Sequence, residues 1–247
     1  MSLLKAENIT VSFEGTRIIE KVSLSLEEGE TVSLLGVSGG GKTTLFNVLS
    51  GLYTPDEGRV YLDGEDITDK AGKISYMLQR DLLLPHKKVK DNVALPLIIR
   101  GINKKEARQK AEGYLEEFGL GDTGDKYPHQ LSGGMRQRAA FLRTYLASDK
   151  VALLDEPFSA LDNITKSAIH SWFLSVMSEI RLSALFVTHD IDEAVLLSDR
   201  IYLLTGKPGR ITDEIIIDLP GEKKDRNPMS SEFIAYKKDI IEKIGVI

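Results

Sequence analysis

The sequence of 247 residues contains no cysteine. This absence excludes a disulfide framework, a thiolate zinc site and a cysteine nucleophile. Lys and Arg total 32 against 37 Asp and Glu, so the chain also lacks the broad basic field that non-specific nucleic-acid binding requires. Nucleic acid is therefore not an expected partner.

Long apolar runs are missing as well, since no stretch approaches the roughly 18 residues that span a bilayer. The first residues lack a basic region followed by an apolar stretch and a cleavage site, so we expect no signal peptide and a cytoplasmic location. Hydrophobic residues nevertheless make up 42% of the chain, which is enough for one large α/β domain or two small ones.

The pattern of residues 31–51 predicts a strand, a loop and a helix in succession. Residues 31–35 are β-branched and mostly apolar, as in a buried parallel strand, and they run into the glycine-rich segment 36–41. Apolar residues at helical spacing follow, and Gly51 suits a left-handed helix end.

The rest of the chain predicts further strands and a helical insert. Alternating polarity predicts strands within residues 3–35, and helix formers predict an α-helical insert over about residues 87–147. Two further apolar strands, 151–154 and 184–187, each end at polar residues. Because ligands gather at the carboxyl ends of parallel strands, we expect these polar residues to converge on the glycine-rich loop. After about residue 206 the chain alternates again, crosses a charged linker and ends in a predicted helix.

The glycine-rich loop predicts a phosphate-binding site. It fits G-x-x-x-x-G-K-[ST], in which backbone N–H groups wrap phosphates, Lys42 neutralises their charge and Thr43 places its hydroxyl on Mg²⁺. A flexible glycine turn is the alternative, and the flanking strand and helix disfavour it. The loop reads Gly36-Val37-Ser38-Gly39-Gly40-Gly41-Lys42-Thr43.

An acidic pair, Asp155 and Glu156, closes the strand 151–154. Taken alone, such a pair more often caps a helix. Together with a phosphate loop, it indicates that Asp155 holds Mg²⁺ and that Glu156 polarises the attacking water.

Residues 131–138 place a serine and two glycines before a predicted helix. Ser132 is a good N-cap and the glycines expose the backbone, so a second anion-binding helix terminus is expected, with a plain capped helix as the alternative. The segment Leu131-Ser132-Gly133-Gly134-Met135-Arg136-Gln137-Arg138 resembles the signature motif of ATP-binding cassette (ABC) ATPases.

Other segments resemble ABC motifs in the same order, over roughly residues 3–206. Gln79 resembles the Q-loop glutamine, residues 159–162 resemble the D-loop, and His189 resembles the switch histidine. The resemblance implies catalytic roles for Glu156, His189, Gln79 and Lys42, and Mg²⁺ ligation by Thr43, Gln79 and Asp155. It implies that ATP is bound by Phe13, Gly36, Ser38, Gly39, Gly40, Gly41, Lys42, Thr43, Thr44, Ser132, Gly133, Gly134 and Asp162.

The resemblance also implies the fold. We expect an α/β fold with a P-loop NTPase (RecA-like) core, an N-terminal antiparallel β subdomain and an inserted α-helical subdomain over about residues 87–147. The ABC ATPase domain is then expected over residues 1–220, and a C-terminal helical tail over residues 221–247.

A single chain then offers two phosphate-binding helix termini in different lobes. In the family, a head-to-tail homodimer resolves this arrangement, because the phosphate loop of one subunit and the signature of the other close on the same ATP. Hydrolysis, with Glu156 orienting water and His189 holding the γ-phosphate, removes charge and opens the dimer.

The resemblance implies membrane partners at the cytoplasmic face of the cell membrane. These are a separate integral permease and, indirectly, an extracytoplasmic solute-binding protein. By hypothesis, the apolar residues 82–85 line a groove that receives a short helix of the permease, with burial between lobes as the alternative. Leu83→Asp is then expected to uncouple transport while basal hydrolysis continues.

Among importers, the chain looks most like the nitrate/sulfonate/taurine family. Anion, sulfonate, bicarbonate and vitamin-precursor cargo all remain open, because substrate choice lies in other subunits. The alternatives outside transport are a soluble ABC ATPase of translation or repair, which usually carries two cassettes or a coiled-coil insertion, and a small-molecule kinase, which would not need Ser132 or His189.

Overall fold

The computed structural model describes residues 2–148, 150–159 and 161–245. Strands and helices alternate along the chain, as an α/β fold requires. The strands are β1 Leu4–Phe13, β2 Thr16–Leu26, β3 Thr31–Leu35, β4 Glu57–Leu62, β5 Glu65–Asp66, β6 Ser75–Met77, β7 Val151–Asp155, β8 Ser183–Thr188, β9 Arg200–Thr205 and β10 Arg210–Ile216. The helices are α1 Lys42–Leu49, α2 Val89–Val93, α3 Leu95–Ile99, α4 Lys104–Leu115, α5 Gly133–Ala147, α6 Asn163–Ile180, α7 Ile191–Leu197 and α8 Ser231–Ile244, with 3₁₀ turns at Gly121–Thr123, Pro128–Gln130 and Lys223–Asp225.

The N-terminal sheet is antiparallel, which confirms the predicted β subdomain. Its strand order is β2-β1-β4-β5, and Leu4 pairs with both Leu26 and Leu62 across it. The alternation foreseen in β2 is present, since Val22 is buried and Ser23 is exposed. One face of this sheet therefore packs on the core while the other meets water.

The loops that carry predicted site residues follow strands of the central sheet. Its order is β10-β9-β3-β8-β7-β6, and every pairing is parallel except that of β10 with β9. The four strands β3, β8, β7 and β6 are consecutive neighbours. Their carboxyl ends lead into the glycine-rich loop, His189, Glu156 and Gln79, respectively, so the predicted convergence of polar residues is confirmed.

Helices α2 to α5 form the helical region that the sequence places at about residues 87–147. Their buried side chains share one apolar cluster with a face of the central sheet, and Phe118 and Phe141 lie at its aromatic centre. Ser132 begins α5 by accepting a hydrogen bond from the backbone N–H of Met135 at 3.3 Å, as an N-cap does.

The C-terminal helix α8 packs on α7 through buried Phe233 and Ile240. Ser230 caps its start and Gly245, with φ of 72°, ends it in the left-handed conformation. The division of the chain at residue 220 stays a prediction. Within the described ranges, no helix is both long and apolar enough to cross a bilayer.

Candidate nucleotide-binding site

The phosphate loop is closed from inside by its lysine. Lys42 Nζ donates to the carbonyl oxygens of Gly36 at 2.8 Å and Val37 at 2.9 Å, which holds the loop in a ring. Burial lowers the pKa of Lys42, although the carboxylates of Glu156 and Asp155 act in the opposite direction. A buried ammonium held by neutral carbonyls is thus ready to receive anionic oxygens.

Two glycines of the loop are required by their neighbours. A Cβ on Gly36 would lie 2.2 Å from the carbonyl oxygen of Leu204 on β9. Gly41, the N-cap position of α1, has φ of 92°, and a Cβ there would lie 2.4 Å from Ile19 Cγ2. The loop therefore fits against β9 and β2 only with glycine at these positions.

Asp155 meets the phosphate loop at the end of β7. Its Oδ2 accepts hydrogen bonds from Thr43 Oγ1 at 3.1 Å and from Tyr76 OH at 3.3 Å. Burial raises the pKa of the Asp155 carboxyl, and these two hydrogen bonds only partly offset that effect. A hydroxyl and a carboxylate oxygen thus converge at the start of α1.

Glu156 has the left-handed backbone conformation, with φ of 46°. Such a conformation is costly for a side-chain-bearing residue and is concentrated at functional sites. Its Oε2 accepts a hydrogen bond from Gln79 Nε2 at 3.0 Å, and its Oε1 lies 3.4 Å from His189 Nδ1. The turn therefore aims the carboxylate at two of the predicted catalytic residues.

A cleft of about 560 Å³ gathers the phosphate loop and these side chains. Gly36, Gly40 and Asp155, which were also predicted site residues, are not among the described residues that line it. The lining consists of Ile18, Ser38, Gly39, Gly41, Lys42, Thr43, Thr44, Gln79, Glu156 and His189.

The signature lies against the D-loop segment of the same chain. A Cβ on Gly133 would lie 3.4 Å from Leu161 Cδ2, and one on Gly134 would lie 3.4 Å from Thr165 Cγ2. Asp162 Oδ1 accepts a hydrogen bond from the Thr165 N–H at 3.0 Å. None of Ser132, Gly133, Gly134 and Asp162 is among the described residues that line the cleft, while Ala160 of the predicted D-loop lies outside the described residues.

Phe13 forms an exposed aromatic pair with Tyr53. Their ring centroids are 5.6 Å apart at 77°, an edge-to-face contact, and 44% of Phe13 is exposed. Phe13 is therefore not buried as a core residue would be. Stacking of Phe13 on adenine stays a prediction.

Tyr76 and Gly209 contact predicted site residues but were not themselves predicted from the sequence. Tyr76 could have been suspected from its place in the strand before Gln79, where its hydroxyl now reaches Asp155. Gly209 has no local signal. Its N–H donates to the Ile18 carbonyl at 2.8 Å, and a Cβ there would lie 2.2 Å from the Gly40 carbonyl oxygen.

The close approach of Gly209 gives a first prediction. A methyl group in Gly209→Ala would push the Gly40 carbonyl, so we expect the dissociation constant for ATP to rise about tenfold, the effect of roughly 1.4 kcal/mol. Titration calorimetry measures this change. Gly113→Ala is the matched control, because its Cβ would meet no atom within 4 Å; equal ATP affinity of the two variants would contradict this role of Gly209.

The oxygen donors fit a magnesium ion that arrives with a nucleotide. Over the described part of the chain, no cluster of three or more His, Asp or Glu residues could hold a metal alone. Mg²⁺ rarely needs such a cage, because it binds through one or two protein oxygens together with substrate phosphates. Thr43 Oγ1 and Asp155 Oδ2 have the required chemistry beside the phosphate loop.

Comparison with known proteins agrees with this geometry. The ABC transporter family profile matches residues 19–159. The chain is 42% identical to the formylaminopyrimidine import ATP-binding protein ThiZ of Halalkalibacterium halodurans, over 96% of this chain and 94% of that protein. It is 37% identical to the nitrate import ATP-binding protein NrtD of Synechocystis, over 90% of this chain and 86% of that protein.

A solved structure is similar over most of the chain. It is the dimeric, post-hydrolysis state of the ATP-binding cassette MJ0796 with bound ADP and Pi, with a TM-score of 0.72, 30% identity, and coverage of 87% of this chain and 99% of that one. The chain belongs to the ABC transporter family. It is an ATPase and the ATP-binding subunit of an ABC importer.

Proposed function

We propose that two copies of this chain close on ATP and that hydrolysis reopens them to drive a membrane permease. The observation that carries this proposal is the separation of two halves of a site. The cleft holds the phosphate loop, Glu156 and His189, whereas the signature at Ser132 lies against the D-loop segment and is not among the described residues that line the cleft. A second copy can bring its signature to this cleft.

The residues of the cleft divide the hydrolytic work. Lys42 and the backbone N–H groups of the phosphate loop bind the phosphates, while Thr43, Asp155 and Gln79 would hold Mg²⁺. When bound, Mg²⁺ supplies charge neutralisation on the phosphates. Glu156 orients the attacking water, and its hydrogen bond with Gln79 fixes the direction of its carboxylate.

His189 completes the site from the other side of Glu156. Its imidazole lies 3.4 Å from the Glu156 carboxylate and lines the same cleft, so it can contact the γ-phosphate while Glu156 positions water. Pre-positioned groups of this kind stabilise the developing charge of the transition state. Loss of the bonded γ-phosphate then weakens the contacts between the two copies.

The hypothesis that residues 82–85 meet the permease stays a prediction, and Leu82 and Leu83 differ in exposure. Leu83 is buried, so Leu83→Asp would damage the core and is unsuitable as a test of coupling, whereas Leu82 is 52% exposed. None of the four is among the described residues that line the groove beside β6. The groove, about 400 Å³, lies between β6 and helices α3 and α5, with Leu95, Ile99 and Arg143 in its wall.

We propose that this groove receives a short helix of the permease. Ile99, 77% exposed, supplies an unpartnered apolar side chain at its rim. Arg143 on α5 donates to the carbonyl oxygens of Asp81 at 2.6 Å and Leu82 at 2.8 Å. Helix α5 begins at the signature and reaches the groove at Arg143. A movement of the docked permease helix would therefore move the signature together with α5.

Substitutions of Ile99, in the groove wall, and of Leu82, whose carbonyl oxygen accepts a hydrogen bond from Arg143 of that wall, give a second prediction. Ile99→Asp and Leu82→Asp should abolish solute-stimulated hydrolysis in the reconstituted complex and leave the basal rate of the free chain unchanged, since neither side chain lines the cleft. Leu82 has φ of 43°, which Asp tolerates better than most residues. Met229→Asp, at an apolar residue that is 83% exposed in the C-terminal segment, is the control. Normal stimulation in both Ile99→Asp and Leu82→Asp would contradict docking at this groove.

We propose that the cargo is a small polar solute, with an anion of the nitrate/sulfonate/taurine class as first candidate. The similarity to NrtD supports this choice. The 42% identity with ThiZ supports a formylaminopyrimidine as second candidate. We propose that the cassette works at the cytoplasmic face of the membrane and that the permease and an external solute-binding protein select the cargo.

Reconstitution tests the proposal as a whole. The cassette is assembled in liposomes with its co-purifying permease and solute-binding protein, and nitrate, taurine and formylaminopyrimidine are added in turn. We expect one of these solutes to stimulate ATP hydrolysis and to accumulate inside. Stimulation by none of them would contradict the proposed cargo classes, and failure to capture any integral membrane protein would contradict the permease partnership.

A further inference from the structure

A buried ion-pair network adjoins the switch loop, which we define as residues 188–190. Glu193 on α7 is buried, and its Oε2 accepts a hydrogen bond from Thr188 Oγ1 at 2.7 Å. Its Oε1 lies 3.0 Å from Lys166 Nζ and 3.5 Å from His170 Nε2, both on α6. One carboxylate therefore joins α6, α7 and the end of β8.

The network fixes the backbone on both sides of His189. Thr188 Oγ1, which donates to Glu193, also accepts a hydrogen bond from the Asp190 N–H at 3.0 Å. Asp190 Oδ1 in turn accepts from the N–H groups of Asp192 at 2.9 Å and Glu193 at 3.3 Å. The His189 side chain is 57% exposed, so its position depends strongly on this backbone.

The other end of the network reaches the D-loop segment. Lys166 lies in the first turns of α6, and its N–H donates to the Asp162 carbonyl at 2.8 Å. Asp162 Oδ2 also accepts a hydrogen bond from Thr165 Oγ1 at 2.6 Å. Asp162 and the switch loop, 27 positions apart in the chain, are thus joined through Lys166 and Glu193.

The charge state of the network is stable. Burial alone would raise the pKa of Glu193, but its contacts with His170, Thr188 and Lys166 together lower the pKa to about 2. Lys166 also lies 3.6 Å from Asp190 Oδ2, which adds a second negative partner. A buried carboxylate that stays ionised and paired holds its partners in one geometry, and the loss of either charge leaves the other unpaired.

We propose that Glu193 is a positioning residue for ATP hydrolysis. Held by Lys166, it fixes the switch loop through Thr188 and thereby sets the place of the His189 imidazole relative to Glu156. This inference rests on the proposed role of His189 at the γ-phosphate. Glu193 itself is not among the residues that line the cleft.

The test is the isosteric variant Glu193→Gln, measured as the full chain in steady-state hydrolysis of Mg·ATP. We expect kcat to fall about tenfold, less than the roughly hundredfold that a 1 Å misplacement can cost, with KM for ATP unchanged. In a His189→Ala background, Glu193→Gln should cause no further fall, because two residues that act through one contact are not additive.

A milder pair of variants covers the case in which Glu193→Gln does not fold. Thr188→Val removes only the bridging hydroxyl and should lower kcat in the same way, whereas Thr188→Ser should restore it. The chain has four histidines, so their imidazole NMR signals give a readout that is independent of turnover. We expect the His189 signal to shift or broaden in Thr188→Val, while those of His86 and His129 stay unchanged.

Three outcomes would overturn the inference. They are normal kcat in Thr188→Val, a fall of equal size with and without His189, and a rise in KM without a change in kcat. Wild-type kcat in His189→Ala alone would instead remove the proposed role of His189, and the inference with it. The two failures are therefore distinguishable.

Discussion

Replacement of Glu156 by Gln should stop hydrolysis and leave ATP binding intact. The amide keeps the shape and the contact with Gln79 but cannot accept the proton of the attacking water. We expect kcat to fall by about two to four orders of magnitude, the range that a positioned general base contributes. The measurements are phosphate release for turnover and titration calorimetry for the affinity of Mg·ATP.

The control for this variant is Glu65→Gln, which removes an exposed carboxylate of the N-terminal sheet. It should hydrolyse ATP at the wild-type rate. Near-normal turnover in Glu156→Gln would remove Glu156 from its role. Lost affinity for ATP would show that the substitution disturbs the phosphate loop, contrary to the separation of binding and catalysis proposed above.

Replacement of Lys42 should instead weaken the binding of ATP itself. Lys42→Ala deletes the ammonium that we propose binds the phosphates, together with the two hydrogen bonds that close the loop. Charge-assisted hydrogen bonds each contribute roughly 1.5–3 kcal/mol, so we expect the dissociation constant for ATP to rise by about a hundredfold or more. Calorimetric titration with Mg·ATP measures the loss.

Lys42→Met separates the charge from the volume of the side chain. Burial lowers the pKa of Lys42, so its charge is costly in the nucleotide-free chain, but methionine also loses the two hydrogen bonds that close the loop. Because these effects oppose each other, we expect the methionine variant to unfold close to the wild-type temperature. It should still fail to bind ATP. Lys73→Ala, at an exposed ion pair, is the charge-matched control. Wild-type ATP affinity in Lys42→Met would contradict the assignment.

The elements that could be predicted from the sequence are those fixed by local spacing. The strand before Gly36, the helix after Gly41 and the cap at Ser132 each depend on residues within a few positions of one another. The convergence of Glu156 and His189 followed from a general rule about parallel strands, not from any contact between them. Local signals and one topological rule therefore located most of the candidate site.

The features that could not be predicted depend on long-range packing. Positions 82 and 83 are both leucine, and the sequence does not show that Leu83 is buried while Leu82 is exposed. The fit of Gly209 against Gly40 joins segments about 170 residues apart, and no local pattern marks it. Glu193 lies in an ordinary helical pattern, and its burial depends on Lys166 in another helix.

The left-handed backbone conformation of Glu156 is another feature that could not be predicted from the sequence. Sequence propensity argues against this conformation for a glutamate, yet the turn is held by the backbone hydrogen bond from the Glu156 N–H to the Val187 carbonyl at 3.1 Å. Neighbouring strands therefore impose a geometry that the residue itself disfavours. Such positions are where local preference and function diverge.

The mass of the Glu156→Gln variant in solution tests most directly whether ATP joins two copies of the chain. Light scattering on the ATP-free variant should give the monomer mass of 27.4 kDa. Saturating Mg·ATP should double that mass, and exchange for Mg·ADP should reverse the change. A mass that stays at the monomer value with saturating ATP, and a permease complex that fails to bring two cassettes together under the same conditions, would contradict a site shared between subunits.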